Sequence, residues 1–118
     1  MRFLLHGNNL TSALEQALVR HGHAVERWPA GEVEPVELLK QCHVKQLDLV
    51  TDDPEIARAA VDTPLKLDRC VVFVQLAGDE VEQDDAVDRL FTRYKRLSPR
   101  KLYTVTETRV KVRQLPAA

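Results

Sequence analysis

The residues best placed to do chemistry sit where predicted strands run into loops. Met1-Arg2-Phe3-Leu4-Leu5 reads as a strand, and it leads directly into His6-Gly7-Asn8-Asn9. Such junctions matter because open α/β sheets bind ligands outside the carboxyl ends of their strands. His6 offers an imidazole that can ligate a metal or hold a loop by hydrogen bonds, and Asn8 and Asn9 suit an Asx-type turn. A second junction, Thr51-Asp52-Asp53-Pro54-Glu55, gathers three carboxylates. Asp53 has the form of a helix N-cap before a first-turn proline, with Asp52 and Glu55 complementing the helix dipole. His21 and His23 straddle Gly22 too tightly for a metal pair, and His43 reads as a cap at a helix end.

Basic residues form a second candidate feature. Arg89, Arg93, Lys95, Arg96, Arg100 and Lys101 gather around the end of the last long predicted helix, and Arg109, Lys111 and Arg113 follow at strand spacing on one face of a hairpin. Such a surface can hold a phosphate backbone or an acidic protein partner. It equally suits a solvated strand face that discourages edge pairing. The feature is local, because 17 basic against 18 acidic side chains give a formal charge of −1.

The elements that must position these groups follow from periodicity. Leu14, Ala17 and Leu18 mark a helix with a capping box at Ser12 to Glu15, stopped by Gly22. Ala24 to Trp28 alternates as a strand and ends in the turn Pro29-Ala30-Gly31. A short helix is expected from Pro35 to Cys42, a strand over Leu47 to Thr51, and a helix from Pro54 that Pro64 closes. Cys70 to Leu76 reads as a central strand buried on both faces. Val87, Leu90, Phe91, Tyr94 and Leu97 predict an amphipathic helix over Asp84 to Leu97. Two alternating strands, Lys101 to Thr106 and Arg109 to Leu115, flank a tight turn at Glu107-Thr108.

This alternation implies an α/β sandwich with a mostly parallel sheet and a C-terminal β-hairpin. A chain of 118 residues with 44% hydrophobic content supports one core, hence a single domain over residues 1–118, with fraying expected at Pro116-Ala117-Ala118. Its longest apolar run is too short to span a membrane, and Cys42 and Cys70 lack metal-ligand spacing. The expectation is a soluble, cytoplasmic protein with reduced cysteines.

The opening "FLLHGN", the "RHGHAVERW" turn, the "VELLKQC" helix, the "LVTDDPEI" step, the "VVFVQL" strand and the final "LYTVTETRVKVRQLP" resemble, in that order, the small PIN-like domains related to toxin–antitoxin ribonucleases. The resemblance implies a PIN-like three-layer sandwich and a metal site built from acids. The family's first acid falls on His6, its neighbouring Glu on Gly7 and its Asn on Asn8. The second Asp falls on Pro35, with Glu34 adjacent, and the third survives as Asp53. Hydrolysis of phosphodiesters with Mg²⁺ or Mn²⁺ needs several converging carboxylates, so this site is largely dismantled. The leading expectation is a binding module for RNA or for a protein partner in a toxin–antitoxin-like complex, with no cofactor, through Arg93, Arg96, Arg109, Lys111 and Arg113. The alternatives are a metal-dependent ribonuclease using Asp53, Glu34, His6 and Asn8, with Asp53 and His6 as ligands of Mg²⁺ or Mn²⁺, and a structural domain that pairs as a homodimer.

Overall fold

The computed structural model describes residues 1–29, 31–64, 67–76 and 79–116. Its elements alternate as the sequence predicts: β1 (Arg2–His6), α1 (Ser12–Arg20), β2 (Ala24–Arg27), α2 (Pro35–Lys45), β3 (Asp48–Thr51), α3 (Pro54–Asp62), β4 (Val71–Val74), α4 (Glu80–Arg93), β5 (Lys101–Val105) and β6 (Val110–Gln114). The sheet order is β2-β1-β3-β4-β5-β6, parallel throughout except for the antiparallel β5–β6 hairpin. Side chains alternate across it. Phe3, Leu5, Val50, Val72 and Val74 face α1 and α4, whereas Leu4, Leu49 and Val71 face α2 and α3. The result is an α/β sandwich whose inner strands are buried on both sides.

Several element ends differ from expectation, each for a local reason. Thr11, not Ser12, caps α1, its Oγ1 accepting the Leu14 N–H at 3.4 Å. Glu15 is thereby released from a capping box and pairs with Arg27 at 3.0 Å. Gly22, at φ +89°, does stop α1, with Gly22 and His23 N–H groups donating to the Val19 and Leu18 carbonyls. Helix α2 runs on to Lys45 because a left-handed Gln46 closes it, so its last turn needs no apolar stripe. Helix α4 begins early, at the cap Asp79, and ends at Arg93 where Tyr94 turns extended. Leu97 is buried from the irregular connection beyond it. The expected turn at Ala30 and the fraying end at Ala117 and Ala118 lie outside the described residues.

The connections are not all of one hand. Passing from β1 to β2 moves the chain one way across the sheet, with α1 on the first face. Passing from β2 to β3 and from β3 to β4 moves it the other way, with α2 and α3 on the second face, which preserves the hand. The step from β4 to β5 continues in that direction, yet α4 packs on the first face beside α1. The β4–α4–β5 crossover is therefore opposite in hand to the other three. Its consequence is that β5 and β6 extend past the cover of α3 on the second face.

At the amino edge, Asp48 is buried where β3 begins, accepting from the Cys70 N–H at 2.9 Å and from Nη2 of Arg69 at 2.8 Å. Cys42 and Cys70 are free thiols, and burial pushes that of Cys42 up to about 12. His23 packs against the rings of Phe91 and Phe3, with centroids 4.5 and 5.3 Å away. Burial, then the Met1 ammonium and His21, hold its imidazole below the ordinary histidine value. The neutral ring is thus favoured in the fold, so the stability it supports is complete above the unfolded value of about 6.5 and is lost as pH falls through the lower folded one. Replacing His23 with Phe should remove this loss. Urea denaturation is expected to show the variant gaining on the unmodified protein between pH 7 and pH 5, and parallel pH profiles would contradict it.

Candidate functional site

The chain changes direction between β1 and β3, and this switch point opens a cleft of about 650 Å³ at the carboxyl edge of the sheet. His6, Asn8, Trp28, Glu32, Asp52 and Asp53 are among its lining residues. His6 and Thr51 are partners in the β1–β3 register, so His6 and Asp53 share this edge as the strand order predicts. Nδ1 of His6 lies 3.1 Å from Oγ1 of the fully buried Thr51, which also accepts the Asp53 N–H at 3.1 Å. Among the described residues the threonine hydrogen has no acceptor other than that Nδ1. Neutral His6 is then the Nε2–H tautomer, with Nδ1 used as an acceptor.

Two side chains from different elements grip the loop after β1. The Asn9 N–H donates to Oδ2 of Asp52 at 2.8 Å, and the Asn9 carbonyl accepts from Nε2 of Gln83 at 2.5 Å. Gln83 is buried, and its Oε1 accepts both the N–H and the hydroxyl of Thr11 at 2.9 and 3.0 Å. A backbone N–H can only donate, so the amide orientation is fixed. Gly7, at φ +143°, is required because a Cβ there would overlap the Asp52 carboxylate. Asp52 thus occupies space that a side chain at position 7 would need. Sequence reasoning missed Gln83, since a glutamine in an acidic first turn reads as surface.

The acids do not form a cage for a hard cation. Oδ1 of Asp53 accepts the Glu55 N–H as the cap of α3, and both carboxylate oxygens of Glu34 accept N–H groups of Val36 and Glu37 as the cap of α2. Among the described residues no three His, Cys, Asp or Glu side chains converge to hold a metal ion. Mg²⁺ and Mn²⁺ require several oxygens directed at one point, and these residues do not fit either.

The predicted cationic surface is divided. Arg93 ends α4, its guanidinium 5.8 Å from the Tyr94 ring, and Arg96 lines a hollow at the opposite, amino edge with Arg69 and Lys95. Val110 packs into the core beneath α1 and α4, so Lys111 and Arg113 lie on the other face by alternation, and Arg109 is exposed in the turn just before β6. Arg89 is not part of any such surface, donating instead to the Thr106 carbonyl and tying α4 to the hairpin turn.

No family model matches the chain, and no curated protein or solved structure does.

Two outcomes follow from the loop geometry. Gln83→Leu leaves the half-buried Thr11 and the exposed Asn9 to find water, which should cost about 1–2 kcal/mol and raise amide exchange at both; unchanged exchange would contradict the clamp. In ¹⁵N-detected imidazole spectra, the Nε2–H tautomer of His6 should predominate over the Nδ1–H one, and Thr51→Val should abolish that bias.

Proposed function

We propose that this protein is a PIN-like domain that binds RNA without hydrolysing it. The reading is supported above all by Arg109, Lys111 and Arg113, which are exposed in β6 and the turn before it and have no acidic partner among the described residues. Phosphates supply the charge such a row lacks, and counterion release makes the contact favourable despite a net charge of −1. The second support is the use of Asp53 and Glu34 as helix caps. A carboxylate that accepts backbone N–H groups at a helix start is oriented by that helix, and not toward a shared metal.

The experiment is binding and cleavage of single-stranded RNA by the full chain. Binding should weaken with salt, and the triple change Arg109→Ala, Lys111→Ala and Arg113→Ala should lower the log–log slope by about one unit per lost phosphate contact. Incubation with Mg²⁺ or Mn²⁺ should leave the RNA intact. Chelator-sensitive cleavage that Asp53→Asn abolishes would establish a ribonuclease instead, because Asn still caps α3. Absence of binding at low salt would point to a protein partner.

A further inference from the structure

The reversed crossover of α4 leaves one corner of the sheet bare. On the face covered by α2 and α3, Phe73, Thr104 and Lys111 form a row of cross-strand neighbours running from β4 to the edge strand β6. Phe73 and Thr104 are half-buried and Lys111 is exposed, so helical cover ends along this row. Beside Phe73 is a hollow of about 380 Å³ lined also by Asp52, Pro54, Leu76 and Glu107. Lys111 stands two strand spacings away, about 10 Å. Arg113 lies on the same face two residues along the strand, and Arg109 is exposed in the turn just before β6.

We propose that this corner is a platform for single-stranded RNA, in which one unstacked base enters the hollow against Phe73 while Arg109, Lys111 and Arg113 hold phosphates along β6. The proposal rests on the RNA reading above and adds base stacking to it. Cations alone hold any polyanion, but a half-exposed aromatic in the same row, next to an open hollow, provides a stacking face that only an unpaired base can use. The carboxylates of Asp52 and Glu107 at the hollow repel a phosphate and accept from an exocyclic amine. The base goes in and the backbone stays out. Cytosine presents its N4 amine where uracil presents the O4 acceptor, so the hollow prefers cytosine.

The test uses fluorescence anisotropy with labelled ten-nucleotide oligo(rC), oligo(rU) and a duplex, after urea denaturation has confirmed folding. Phe73→Leu keeps apolar packing and removes the ring. It should weaken oligo(rC) binding about tenfold with the salt slope unchanged. Glu107→Gln, on an exposed turn, leaves Phe73 in place and, with Asp52 retained, should reduce the preference for oligo(rC) over oligo(rU). Equal affinity of both variants and the unmodified chain would overturn the platform while leaving RNA binding intact. Equal binding of the duplex, or displacement of RNA by poly-glutamate with no effect of Phe73→Leu, would also overturn it. Failure of the unmodified protein to bind either oligonucleotide would remove the RNA reading itself.

Discussion

The carboxyl edge of this protein depends on α4 lying beside α1. The contact has an apolar part, in which Ala86, Val87, Leu90 and Phe91 share one cluster with Leu14, Ala17 and Leu18. It has a polar part, in which Arg20 pairs with Asp84 and Asp88, and His21 with Asp88 at 2.7 Å. Exposed ion pairs contribute about 1 kcal/mol or less, whereas each buried large apolar side chain contributes about 1.5–3 kcal/mol. Apolar burial therefore holds the helix on this face, and the polar contacts set its register along α1. That register brings Gln83 under the loop after β1. A right-handed crossover would have put α4 beside α3, where it could reach neither Asn9 nor Thr11, and would have covered the corner that now stands open.

At the carboxyl edge, caps and ligands compete for the same carboxylates. Helices α2 and α3 both begin there, each with proline in its first turn and an acid as its cap. Prolines at those positions remove N–H groups that would otherwise need partners, and the caps satisfy the next ones. Asp52, which caps nothing, turns to the Asn9 N–H over Gly7. The backbone donors these carboxylates satisfy thus fix where each one points. His6 completes this arrangement with an imidazole in place of an acid, joined to Thr51 and through it to the Asp53 backbone.

Much of the scaffold was legible in the sequence. Asp53-Pro54 announces its helix, the β-branched run at Val71 to Val74 its buried strand, and the alternation after Lys101 its hairpin. Long-range choices were not legible. Thr11 and Ser12 are equally good caps by type, and only the Gln83 oxygen, which takes the Thr11 hydroxyl hydrogen, decides between them. The first turn of α4 is acidic, which suits a helix dipole but leaves no apolar stripe to mark its start. The face chosen by α4 runs against the usual hand of a parallel crossover, so local pattern gave no sign of it. For the same reason the sequence grouped Arg93 with Lys111, which the fold sets on opposite sides of the sheet.

Charge in this chain is segregated more than it is unbalanced. Seventeen basic and eighteen acidic side chains nearly cancel, yet the carboxyl-edge cleft is lined by Glu32, Asp52, Asp53 and Glu55 with neither lysine nor arginine among its described lining residues. The cations of β6 stand on the second face of the sheet, past the cover of α3. A field of this shape orients a polyanion more than it attracts one, because like charges at the edge repel what the strand face draws in. A phosphate backbone settling on β6 would be turned away from the edge where a hydrolytic site would have to be. On the proposed RNA reading, binding and cleavage would be opposed by the same charge distribution: more cations on β6 would tighten the hold on a ligand without bringing its phosphates to His6 or Asp53. Only removal of the edge carboxylates would do that, and one of them, Asp53, caps α3.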